Sequence, residues 1–170
     1  MNPYFGPDVT PADGSEEFSS VETRQHELFS DKAQFDNDLM LIKLSGVSKF
    51  KPVTLNRDNA VPFSGSKLTV VGWGTQQVSV TSHPQFLMKD DVVTVTNEYC
   101  RGQYKTVPVT DDMMCVIDDA SCQGDSGGPL LLQGGDDAAG DVQVAVVSWG
   151  IDCRSDVYPG EFPPCAAYGR

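Results

Sequence analysis

The string Ser121-Cys122-Gln123-Gly124-Asp125-Ser126-Gly127-Gly128-Pro129-Leu130 sets a hydroxyl among glycines and runs on into an apolar stretch. Glycine admits backbone dihedrals closed to other residues, so such a loop can expose a serine and turn nearby amides towards one point. If the amides of Gly124 and Ser126 converge, they form the oxyanion hole that acyl transfer requires, with Ser126 as the nucleophile. The bare Gly-Asp-Ser-Gly-Gly string suits a plain turn equally well and decides nothing alone. A serine nucleophile also needs a base, and the only histidines are His26 and His83.

The elements that would carry this loop are short. Apolar runs at Leu39 to Leu44, Leu68 to Gly74, Asp91 to Thr96, Met113 to Ile117, Leu130 to Gln133 and Val142 to Trp149 alternate with Gly, Pro and Asp clusters. They are rich in Val, Ile and Thr and too short for helices, which predicts strands and an all-β class. Residues 1 to 35 read as loop with a short strand near Glu17 to Arg24, and Gly134 to Asp141 as a surface hairpin loop. Cys100, Cys115, Cys122, Cys153 and Cys165 lack paired C-x-x-C metal spacing, so disulfides and an oxidising compartment are expected rather than zinc. The odd number leaves one thiol over, for which Cys165 is the candidate.

Four strings, in order, resemble the trypsin-like (chymotrypsin-family) serine proteases. Cys122 to Leu130 resembles the family's serine signature, and Asp36-Asn37-Asp38-Leu39-Met40-Leu41-Ile42-Lys43-Leu44 its aspartate segment. Val71-Gly72-Trp73-Gly74-Thr75 is similar to its Gly-Trp-Gly strand, and Val147-Ser148-Trp149-Gly150 to its substrate-binding strand. Asp38 lies 88 positions before Ser126, against about 93 in the chymotrypsin order. The resemblance spans roughly Val21 to Gly160. It implies an antiparallel double β-barrel in one partial domain over 1–170. Residues 1–60 would be a remnant of the first barrel and 61–170 the second, largely complete.

By the same resemblance Ser126 is the nucleophile, Asp38 orients the catalytic histidine, and Ser148 helps to hold that aspartate. Ala120, Ser148, Trp149, Gly150 and Gly160 would line the specificity pocket. Ala120 makes its base neutral and the preference apolar or aromatic, whereas a one-residue shift bringing in Asp119 would restore Lys or Arg preference. The pairings implied are Cys100 with Cys115 and Cys122 with Cys153, each stabilising by roughly 3 to 4 kcal/mol on chain-entropy grounds. Leu68 and Leu132 are expected to face each other where many relatives carry a further bridge.

The catalytic histidine and the family's Ile- or Val-initiated mature N-terminus are missing from the sequence. His26 resembles a structural loop histidine of the family, and His83 reads as a solvated loop residue. Asp125 matches the carboxylate that pairs with the activated N-terminus. Unpaired, it should swing away and leave the hole collapsed. Beyond Pro159-Gly160 the match fails, and adjacent Pro163 and Pro164 oppose a ladder strand. Truncation at both ends is therefore expected, with a non-catalytic relative that binds a protein partner as the alternative.

Composition narrows the partners. The chain of 170 residues carries a net charge of -12, which argues against a nucleic-acid surface. No stretch approaches the roughly 18 apolar residues of a membrane span, and no signal peptide is visible. The resemblance implies a secreted enzyme acting on protein or peptide substrates and met by protein protease inhibitors. It implies no cofactor and no metal.

Overall fold

The computed structural model describes residues 15–76, 82–104, 107–117, 121–135 and 140–150, and the backbone of 166–169. Ten elements follow one another: β1 (Ser20–Gln25), β2 (Met40–Leu44), β3 (Thr54–Leu55), β4 (Lys67–Gly72), β5 (Met88–Val95), α1 (Asn97–Gln103), β6 (Met113–Ile117), β7 (Pro129–Leu132), β8 (Val142–Gly150) and β9 (Ala166–Gly169). The described residues are all-β apart from one short helix.

The strands fall into two sheets. β4 pairs antiparallel with both β5 and β7, β7 with β8, β5 with β6, and β6 with β9. β9 also pairs with β8, so the order β8-β7-β4-β5-β6-β9 returns to its start as a closed barrel. Closure removes the free edges that an open sheet would present. The two-residue β3 adds in parallel to β8. β1 and β2 form a separate antiparallel ribbon, Thr23 opposite Ile42 and Gln25 opposite Met40.

The core sits inside the ring. Leu68, Val70, Val92, Met114, Val116, Leu130, Val144 and Ala145 are buried together, and Leu132, Val142 and Val147 pack on them. Leu68 and Leu132 thus belong to one apolar cluster, as two facing aliphatic residues should. A second cluster joins Cys100, Tyr104, Val109, Met113 and Cys115, with Trp149 packed on it. A disulfide links Cys100 of α1 to Cys115 of β6. By contrast every residue of β1 and β2 is exposed, and Leu41 reaches 76%.

Two elements depart from the sequence reading. α1 escapes a periodicity search because seven residues give barely two turns. Its local signals are the Thr96 side chain accepting from the Tyr99 amide and Glu98 in the first turn. At the other end, β9 forms where prolines opposed a strand. It begins at Ala166, beyond Pro164, so its ladder positions keep their N–H groups.

Candidate active site

The loop before β7 is wound tightly on its own amides. Asp125 donates its amide to the Cys122 carbonyl at 3.0 Å, and Gly128 donates to the Asp125 carbonyl at 2.8 Å. Gly124 and Gly127 take φ of 102° and 82°, a region that favours glycine. Gly128 is required for another reason, since a Cβ there would lie 2.8 Å from the Asp125 carbonyl oxygen. Ser126 is exposed at the tip. Among the described residues, no hydrogen bond takes up the amide of Gly124 or of Ser126.

β8 clasps this loop to the barrel. The Gly127 amide donates to Val147 at 2.8 Å, and Val147 donates back to Gly128 at 2.9 Å. The next residue, Ser148, donates its hydroxyl to Asp38 Oδ2 at 2.6 Å. Two residues of β8 thus connect the serine loop to an acid 110 positions away from Ser148. Asp38 is half-buried, and its Oδ1 has no hydrogen-bond donor among the described residues.

Asp38 enters β2 from a contorted segment. Ser30, Phe35 and Asn37 have positive φ of 57°, 63° and 50°, and the Leu39 amide donates to Asn37 at 2.8 Å. Beside this segment Trp149 packs edge-on against Tyr104 with centroids 4.9 Å apart, and 6.3 Å from Phe35. Trp149 is half-buried and Gly150, ending β8, is exposed.

Asp125 corrects the expectation of a carboxylate that swings away. It is 9% exposed and remains inside. Its Oδ1 accepts from the Gly74 amide at 2.7 Å and its Oδ2 from the Cys122 amide at 2.9 Å. Both oxygens of the buried carboxylate thus have donors, as a buried polar group requires. The space for it exists because positions 72 and 74 are glycine. A Cβ at either would stand 2.0 Å or 2.2 Å from a carboxylate oxygen.

The histidines lie elsewhere. His26 Nδ1 accepts from the Leu28 amide at 3.2 Å, and its own amide donates to Leu39 at 2.9 Å, so it shapes the loop before Asp38. His83 is exposed but not merely solvated. Its Nδ1 lies 2.8 Å from the Trp73 carbonyl, and its ring covers Gly124 so closely that a Cβ there would meet Cε1 at 2.9 Å. Nothing in the polar stretch around His83 signals this. Among the described residues neither histidine is hydrogen-bonded to Asp38 or Ser126.

Ala120, Gly160, Asp119, Cys153 and Cys165 lie outside the described residues. Cys122 is disulfide-bonded, and its sulfur also accepts from the Thr75 hydroxyl at 3.0 Å.

A closed all-β barrel carries an exposed serine on a glycine-rich loop, and β8 ties that loop to an acid. The family model described as Trypsin matches residues 1–169. The chain is 33% identical over 155 residues to Trypsin Blo t 3 of Blomia tropicalis, covering 84% of this chain and 55% of that protein. Against Trypsin of Xenopus laevis it is 33% identical over 172 residues, 94% of this chain and 65% of that protein. Against Cationic trypsin-3 of Rattus norvegicus it is 36% identical over 145 residues, 79% and 53% respectively. The chain belongs to the trypsin family of serine endopeptidases. It spans between 53% and 65% of the length of these relatives.

Proposed function

We propose that this chain carries the nucleophile, the oxyanion amides and the orienting acid of a secreted serine endopeptidase. Ser126 attacks the scissile carbonyl, and the Gly124 and Ser126 amides hold the oxyanion of the tetrahedral intermediate. Asp38 orients an imidazole that takes the hydroxyl proton and then delivers it to the leaving amine. Water hydrolyses the resulting acyl-enzyme by the same route. The observation that carries this reading is the Ser148–Asp38 hydrogen bond, because β8 joins it directly to the backbone that holds the Ser126 loop.

Among the described residues no base is bonded to Asp38, and in this reading the chain as given is a poor catalyst. Losing the histidine of such a triad costs on the order of 10⁶ in kcat. Asp125 serves as the activation carboxylate that fixes the oxyanion loop. Ser148, Trp149 and Gly150 form one wall of the specificity pocket, with Ala120 and Gly160 completing it. A neutral base at Ala120 favours large apolar or aromatic side chains. Cys122 pairs with Cys153. Residues 1–60 are the remnant of a first barrel and 61–170 the second. The substrates are proteins or peptides, and protein protease inhibitors are natural ligands of the same cleft.

The test is acylation of Ser126 by an activated ester, with and without millimolar free imidazole as a soluble base. Imidazole-stimulated acylation that vanishes in Ser126→Ala supports the reading. Ester turnover indifferent to Ser126 overturns it. The alternative reading, a non-catalytic relative that grips a peptide segment, then becomes the working one.

A further inference from the structure

Asp36 is the most deeply buried acid described here, at 0% exposure, and has no part in the chemistry above. A buried carboxylate is costly unless donors satisfy it. Two do. Thr110 donates its hydroxyl to Oδ1, and Asn37 donates its side-chain amide to Oδ2 at 3.0 Å. Thr110 lies between α1 and β6, 74 positions further on.

The Thr110 side is itself firmly held. Asn97 of α1 donates its side-chain amide to the Thr110 carbonyl at 2.8 Å and to the Met113 carbonyl at 2.9 Å. Arg101 donates Nε to the Val109 carbonyl at 2.7 Å and pairs with Asp111. The Cys100–Cys115 disulfide fixes α1 to β6 beneath them.

The Asp36 side is the contorted one. Ser30 donates its amide to the Asp36 carbonyl at 2.7 Å, and Asp36 donates its own to Ala33 at 3.0 Å. Positive φ at Ser30, Phe35 and Asn37 costs free energy and persists only where surroundings over-determine it. The Asn37 bond bears on this directly, because Asn37 is the left-handed residue immediately before Asp38. Asp36 thus anchors one end of a two-residue lever whose other end is Asp38, held by Ser148.

We infer that Asp36 is a positioning residue for Asp38. Through Thr110 it docks the loop before β2 onto the disulfide-braced α1–β6 unit and fixes the direction in which Asp38 Oδ1 points. This rests on the proposed role of Asp38 in orienting an imidazole. Lys32 crosses between the same two segments to Asp112 at 2.7 Å, but this exposed pair supplies little anchorage.

The experiment follows the Asp38 side-chain carboxyl by ¹³C NMR, assigned with Asp38→Asn, in the whole chain. Thr110→Val keeps the shape and removes the hydroxyl, Thr110→Ser keeps the hydroxyl, and Lys32→Ala is the control. Asp36→Asn is added if it folds. The Asp38 resonance is expected to move or broaden in Thr110→Val, return in Thr110→Ser, and stay put in Lys32→Ala. Imidazole-assisted acylation of Ser126 should fall about tenfold in rate in Thr110→Val with KM unchanged, since a 1 Å misplacement can cost up to about 10²-fold. An unmoved Asp38 resonance in Thr110→Val, with only a lower melting temperature, overturns the positioning role. A resonance that moves in a protein never acylated at Ser126 upholds Asp36 as the anchor of Asp38 and overturns the peptidase reading alone.

Discussion

Ser148 and Asp38 are joined at 2.6 Å, hydroxyl to carboxylate, between the barrel and the exposed ribbon. A hydrogen bond to a charged group is worth about 1.5 to 3 kcal/mol when desolvated. Both partners here are half-buried, so Ser148→Ala should destabilise by about 1.5 kcal/mol, read by urea titration. A loss below about 0.3 kcal/mol would mean that water replaces the hydroxyl and the bond does not fix Asp38.

The glycines that house Asp125 make a sharper prediction. Gly72→Ala and Gly74→Ala each drive a methyl into the carboxylate, which is pinned by the Gly74 and Cys122 amides. Each should cost about 3 kcal/mol or more, because a buried charge loses its partners. Gly102→Ala is the control: it lies in α1 with nothing within 4 Å of the new Cβ. It should stabilise by up to about 1 kcal/mol, since alanine outranks glycine in helices. Melting curves of the three variants decide it, and a tolerated Gly74→Ala would show that Asp125 has other room.

Much of this arrangement is legible in the amino-acid order, and what is not has a common cause. The strand at Met113–Ile117 is where its apolar run lies, and β4 starts one residue earlier and ends two earlier than its run. Strings such as Cys122 to Leu130 are legible because their residues are contiguous. Asp36 sits in an equally recognisable string, yet its burial depends on Thr110, and no local pattern reports a partner 74 positions away. His83 is similar, since only folding brings Gly124 under its ring. Asp125 shows the reverse error. Its burial was foreseeable as a cost, but the donors that meet it come from the backbone, which side-chain reasoning does not enumerate.

Two exposed ion pairs add small pH-dependent contributions at the surface. A hydrogen bond from Lys67, seconded by Thr69, holds Asp91 below its ordinary 3.8. Its contribution is therefore present above the ordinary value and lost as pH falls through the lowered one. Lys32 is raised above 10.5 by its hydrogen bond to Asp112. That contribution is present below 10.5 and lost as pH rises through the higher value. Asp91→Asn should flatten the acid limb of the melting temperature without touching the alkaline limb, and moderate salt should shrink both effects. An acid limb unchanged by Asp91→Asn places that stability on other carboxylates.

The ribbon of β1 and β2 should be the first part of the described fold to open. Among the described residues its amides pair only with each other, and its residues are exposed on both faces, Leu41 the most of its large apolar side chains. Two strands without a hydrophobic face against a third element are marginal in water. The barrel strands β4, β5 and β6 instead bury Leu68, Val92 and Val116 almost completely. Native-state hydrogen exchange should therefore show ribbon amides exchanging through low-energy local openings, while Val92 and Val116 exchange only through global unfolding. Asp38 stands at the foot of this ribbon, anchored by Ser148 below, so protection should rise along β2 from Leu44 back towards Met40. Equal protection in ribbon and barrel would mean that another surface covers Leu41 and Ile42 in solution.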